Sequence, residues 1–136
     1  MKTEPRVIAR ILDAEWKKLS LWCSNRRRQA CVVKDRSTAC GEHACYRLAA
    51  IRHDMETTER QCYRDKNGFR VYVERFAHNR RPWFIWHEEP CAFPPGARSV
   101  GGDVTLKGAQ AKLDRMAARY GWEPCEMPDF VRDEEG

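Results

Sequence analysis

Long apolar runs are missing from this sequence. Stretches such as Trp83-Phe84-Ile85-Trp86 are only a few residues long, whereas a helix that crosses a bilayer needs about 20, so no membrane association is expected. The N-terminus, Met1-Lys2-Thr3-Glu4-Pro5-Arg6, is charged from the outset and lacks the apolar core of a secretory leader. A cytoplasmic location is the expectation. The fingerprints of common chemistry are absent too: there is no G-x-G-x-x-G, no Walker A loop, no H-E-x-x-H and no G-x-S-x-G. No long internal repeat is found, and no organic cofactor is expected.

A disulfide framework is also lacking, although cysteine is plentiful. The seven cysteines are Cys23, Cys31, Cys40, Cys45, Cys62, Cys91 and Cys125, an odd number at irregular spacing. In a reducing compartment such residues stay thiols or bind metal. Two of them sit in a short shared pattern, E-P-C-x-x-P, in Glu89-Pro-Cys-Ala-Phe-Pro94 and Glu123-Pro-Cys-Glu-Met-Pro128. The pattern reads as coincidence or as two similar element exits, with a paired role for Cys91 and Cys125 as the alternative.

What is present is enough apolar surface for one core. The chain has 136 residues, 42% hydrophobic and 33% charged, with five Trp, five Phe and four Tyr, which suits a single globular domain. Its charge is uneven: residues 1–85 hold 19 Lys and Arg against 10 Asp and Glu, and residues 86–136 hold 6 against 10. A basic face and an acidic end follow.

Periodicity supplies the elements. Ile8, Ile11, Leu12, Trp16, Leu19, Trp22 and Cys23 recur at three and four, predicting an amphipathic helix over 6–23, with Thr3 as cap and Pro5 in the first turn. Residues 6–12 would also pass as a strand. Ala30-Cys-Val-Val33 reads as a short strand, and residues 40–55 are ambiguous: Ala44, Leu48, Ile51 and Met55 keep helical spacing, while Cys45 to Ile51 would also pass as a strand. A hairpin over 60–76 is predicted from Asn67-Gly68, which supplies positive φ, and from the alternation of Phe69, Val71, Val73 and Arg75 with Arg70, Tyr72, Glu74 and Phe76. A second turn, residues 78–82, leads to a strand over 82–88. Residues 90–102, with three prolines and three glycines, read as a long loop. Leu106, Ala109, Leu113, Met116, Ala117 and Tyr120 predict a helix over 105–120, capped by Asp103 or Thr105 and stopped by Gly121. The expected fold is thus α+β: a small antiparallel sheet of three to five strands packed against an N-terminal and a C-terminal helix. The domain spans 1–122, and 123–136, with six acidic residues against one basic, is expected to be a flexible tail.

Three constellations could carry function. The first is basic and aromatic: Arg26, Arg27, Arg28, Arg64, Lys66, Arg70, Arg75, Arg80 and Arg81 are interleaved with Tyr63, Tyr72, Phe76, Trp83 and Trp86. Guanidinium groups grip phosphates and carboxylates, and exposed rings stack on bases. Arg26, Arg27, Arg28, Arg64, Lys66, Arg70, Tyr72, Arg80, Arg81 and Trp83 are therefore the candidate contacts with nucleic acid or an acidic protein surface. The second is Cys31, Cys40, His43 and Cys45, four residues of zinc-ligand type in the irregular spacing C-x8-C-x2-H-x-C, where only Cys40 and His43 make a clean pair. The third sets Cys40 or Cys45 beside His43 as a nucleophile and base. Gly101-Gly102 before a helix could recruit an anion, but Asp103 opposes it.

The order helix, three strands, helix resembles the double-stranded-RNA-binding domain, the likeness covering roughly residues 59–120, and Lys107-Gly-Ala-Gln-Ala-Lys112 is similar to the basic start of that family's second helix. The first helix here lies over 30 residues before the sheet, and Asp103 stands where a basic start is needed, so no residue roles carry over. The leading expectation is a non-enzymatic binding or regulatory protein, such as a small inhibitor of the phage-encoded type, engaging a protein or nucleic acid. The alternatives are a zinc-stabilised nucleic-acid-binding module and a small enzyme with a Cys–His pair.

Overall fold

The computed structural model describes residues 2–26, 39–76, 79–88, 98–129 and 133–134, without the side chains of residues 19–46, 98 and 134. The first helix, α1, is Pro5–Arg26. It starts one residue later than a Thr3 cap would require. The backbone N–H groups of Val7 and Ile8 donate to the Glu4 carbonyl at 3.0 and 3.1 Å, so Glu4 holds the cap position and Pro5 the first helical one, where a missing N–H costs nothing. Ile8, Ile11, Ala14 and Glu15 form its buried stripe.

The ambiguous segment after it is a helix, α2, Ala39–Thr57, with Met55 fully buried at its end. Asp54 has a second task. Its carboxylate accepts the backbone N–H groups of Leu106 (2.7 Å) and Lys107 (3.0 Å), two of the four orphan donors at the start of the next helix. That helix, α3, is Leu106–Tyr120. Its own cap, Thr105, accepts from the Gly108 N–H at 3.0 Å. The N-terminus that could have recruited an anion is therefore already occupied by a carboxylate of the same chain. At the far end Gly121 adopts φ +71°, a left-handed turn that glycine enters without a Cβ clash, and closes the helix onto the Ala117 carbonyl.

Five antiparallel strands lie in the order β4-β3-β2-β1-β5, where β1 is Cys62–Arg64, β2 Arg70–Phe76, β3 Trp83–His87, β4 Arg98–Asp103 and β5 Glu123–Cys125. The first four form a consecutive meander, and α3 then carries the chain back across the sheet to the opposite edge. A two-residue strand, β6 (Asp133–Glu134), pairs parallel with the end of β2. The α+β arrangement of an antiparallel sheet flanked by helices is as the sequence predicts. Two segments differ. The end of the expected loop, Arg98–Asp103, is an edge strand on β3, and parts of the expected tail are β5 and β6. Neither has the alternating apolar pattern of a strand; each gains its ladder from a neighbour. The residues of the expected strand 30–33 lie outside those described.

One face of the sheet meets the helices. Val71 and Val73 of β2 and Trp83 and Ile85 of β3 pack with Ile8, Ile11, Met55, Leu106, Ala109 and Leu113. Arg75, next along that face, is buried with them and pairs with Glu15 of α1; Arg47 of α2 approaches the other Glu15 oxygen at 3.3 Å. The outer edge of β2, between β1 and β6, is completed by a side chain: Arg60 donates to the Val73 carbonyl and forms an ion pair with Asp133 at 2.6 Å. Both guanidinium groups lie over the Trp83 ring, at 5.5 Å for Arg60 and 5.6 Å for Arg75. On the opposite face Phe76, Phe84 and Trp86 make edge and tilted ring contacts at 5.5–6.1 Å.

Candidate binding cleft

Among the described residues the expected basic-aromatic face is not one surface. Trp83 is 2% exposed and Tyr72 is 3% exposed, so neither ring is free to stack on a partner. Their burial follows from strand position: Trp83 faces the helices, and the Tyr72 hydroxyl is spent on Glu88 at 2.9 Å. Burial first, then that hydrogen bond to a carboxylate, pushes the Tyr72 phenol well above its usual range. Arg70 is half-buried and bound to the same carboxylate at 2.9 and 3.4 Å.

Of the expected contacts with described side chains, the exposed cations fall into two groups. Arg64 and Lys66 flank the β1–β2 turn, and Arg80 and Arg81 lie in the β2–β3 connection, at the other end of a seven-residue strand, roughly 20 Å away at ~3.3 Å per residue. Arg26 ends α1 and its side chain is not described, while Arg27 and Arg28 lie outside the described residues. So does Cys31. Cys40, His43 and Cys45 fall on α2 without described side chains, and among the described residues no three metal-binding groups converge.

One of the two basic ends adjoins a concave site. A cleft of about 530 Å³ is lined by Asp65, Lys66, Asn67, His87, Val100, Met116, Tyr120 and Trp122. Three features of local folding build it. Asp65 organises the hairpin turn: its Oδ1 accepts from the N–H groups of Asn67 and Phe69, both at 2.8 Å, while Gly68 takes the positive φ of +87° that the turn requires. The other oxygen, Oδ2, meets His87 Nε2 at 2.6 Å, tying the turn to the end of β3. Burial works to raise the Asp65 pKa, but the bonds from His87, Phe69 and Asn67 outweigh it and hold the carboxyl below its ordinary value.

The third feature is the stop of α3. Because Gly121 turns the chain left-handed after Tyr120, Trp122 is set beside the ring that ends the helix. Tyr120 and Trp122 lie 5.4 Å apart with planes 32° from parallel, and Trp122 lies 5.8 Å from the His87 ring. Tyr120 is 47% exposed, one of two large apolar side chains left in solvent among the described residues. The Arg119 guanidinium lies 5.6 Å from the Tyr120 ring. The result is an aromatic wall on an apolar floor of Val100 and Met116, with cations at its rim.

Of the expected contacts among the described residues, only Lys66 lines this cleft, with Arg64 adjacent in the hairpin. Tyr120, Trp122 and His87 were not among them. The signal for the first two was available in Tyr120-Gly121-Trp122, an aromatic on either side of a helix stop, which leaves at least one ring outside the apolar stripe. Nothing in the sequence pairs Asp65 with His87. The chain matches no protein-family model, no curated protein and no solved structure.

Proposed function

We propose that this chain is a non-enzymatic binding protein whose hairpin-end cleft takes single-stranded nucleic acid. The observation that carries the reading is the exposed Tyr120 ring beside Trp122, with Lys66 and Arg119 at the rim. A base offers a flat face that stacks on such a wall whatever its sequence, and the phosphate that follows each base needs a nearby cation. The cleft volume lies within the usual size of a small-ligand site, enough for one or two bases rather than a duplex. The Asp65 carboxylate in the lining does not oppose this strongly, because one of its oxygens is engaged by the turn and the other by His87.

The test is titration of the full chain with labelled single-stranded DNA and RNA of about 12 nucleotides at two salt concentrations. Binding that weakens with salt and is lost in Tyr120→Ala supports the reading. No binding at low salt overturns it. Binding that is indifferent to both Tyr120→Ala and Lys66→Ala would place nucleic acid elsewhere on the molecule.

A further inference from the structure

Cys62 and Cys125 stand directly opposite each other on the neighbouring antiparallel strands β1 and β5. Residues so placed have Cα atoms about 4.5–5.5 Å apart, inside the span of about 4.4–6.8 Å that a disulfide bridges. The two sulfurs point at one another: the Cys125 thiol donates to Cys62 Sγ at 3.0 Å. A third side chain holds the register, since the Gln61 amide donates to both carbonyls, Cys62 at 2.8 Å and Cys125 at 2.9 Å. Both are free thiols in this structure. They are not equivalent, because Cys62 is fully buried whereas Cys125 is partly exposed.

We infer that Cys62 and Cys125 are a redox pair that a small disulfide, such as oxidised glutathione, closes into a cross-strand bond fastening β5 to β1. The order of events follows from exposure. The Cys125 thiol loses its proton to solvent, and its sulfur attacks one sulfur of glutathione disulfide, forming a mixed disulfide and releasing the first glutathione thiolate. Cys62 then gives up its proton, its sulfur bonds to Cys125 Sγ, and the bond from Cys125 to glutathione breaks as the second thiolate leaves. Two protein thiols are oxidised, one glutathione disulfide is reduced to two glutathione thiols, and the two protons end on them. Burial first, and the neighbouring Cys125 next, push the Cys62 thiol well above the usual cysteine range, which keeps it from reacting first with an oxidant. It reacts second, because the mixed disulfide forms beside it.

The E-P-C-x-x-P likeness in the sequence would instead pair Cys125 with Cys91. The test separates the two. The reduced full chain is incubated with oxidised glutathione, free thiols are alkylated, and the peptides are mapped by mass spectrometry. The expected product links the Cys62 and Cys125 peptides, with a thermal midpoint raised by on the order of 10 °C for a loop of this length. Cys62→Ser should accumulate glutathione on Cys125, and Cys125→Ser should leave Cys62 unmodified. The second variant alters a partly exposed position and so keeps the test open if the first fails to fold. A Cys91–Cys125 link, a wild-type chain that stops at the mixed disulfide, or Cys62 and Cys125 still alkylated after other thiols have oxidised would each overturn the inference.

Discussion

Among the described residues arginines meet aromatic rings in two regions, and the two surroundings are opposite. Around Trp83, Arg60 and Arg75 are buried and each is paired with a carboxylate, Asp133 for one and Glu15, which Arg47 also approaches, for the other. Around Tyr120, Arg119 and Lys66 face solvent beside a half-exposed ring. Both regions set cations beside an aromatic ring, so composition does not separate the two roles. What separates them is the counter-charge. A guanidinium inside a core persists only where its charge is compensated, since an unpaired buried ion costs several kcal/mol. Arg119 and Lys66 have no carboxylate in an ion pair among the described residues, which under the proposed function leaves them for phosphate.

The sharpest way to break that contrast is to remove a buried counter-ion. Glu15→Ala leaves the Arg75 guanidinium inside the core without its carboxylate and is expected to cost about 3–5 kcal/mol. Urea denaturation of the variant measures it. If the variant unfolds within about 1 kcal/mol of the parent, the Trp83 region is solvated, and the division between the two regions fails.

At the open region the same logic predicts a loss of binding with little loss of fold. Tyr120→Ala removes a ring that is half in solvent, and the expected reduction in affinity for single-stranded nucleic acid is about 1–3 kcal/mol, or roughly 5- to 150-fold in Kd. Unfolding should shift by much less than in Glu15→Ala. A variant with unchanged affinity would remove the ring from the site.

How much of this was legible in the sequence depends on how local the cause is. Helix α3 was predicted over 105–120 and runs Leu106–Tyr120, because its stripe, its Thr105 cap and its Gly121 stop are all contiguous. The turn at Gly68 was legible for the same reason. Strands β4, β5 and β6 were not: Arg98-Ser-Val-Gly-Gly-Asp103 has few strand-favouring side chains, and it is a strand because β3 offers an unpaired edge. The charge of the last residues predicts a flexible tail, yet Asp133 is buried and paired with Arg60, some seventy residues earlier. At the site, Lys66 was visible as a hairpin cation. His87 and Trp122 reach it only through β3 pairing and the return of α3 across the sheet, and no local pattern encodes that.

The hairpin turn beside the cleft has its own pH signature. The Asp65 carboxyl is held below its ordinary pKa in the folded chain, so it contributes stability above the unfolded value of about 4. That contribution is lost as pH falls through the lower folded value. Asp65→Asn should therefore be less stable than the parent at neutral pH, by about 1 kcal/mol, and the gap should close in acid. A gap that stays constant with pH would mean that the carboxylate charge does nothing for the turn.

The smallest expected effect is the most diagnostic for the rim. Lys66 is exposed at the hairpin tip, so Lys66→Ala should change stability by no more than about 0.5 kcal/mol. Its effect belongs to binding alone. If the ammonium meets one phosphate, the slope of log affinity against log salt should fall by about 0.7 for a single strand, with the affinity at high salt nearly unchanged. A Tyr120→Ala variant should behave in the opposite way, losing affinity at every salt concentration while keeping its slope, because stacking releases no counterions. The two signatures together distinguish a cation that steers phosphate from a ring that holds a base. Identical slopes in parent and Lys66→Ala would leave the aromatic wall as a site for an uncharged ring and would remove the nucleic-acid backbone from the reading.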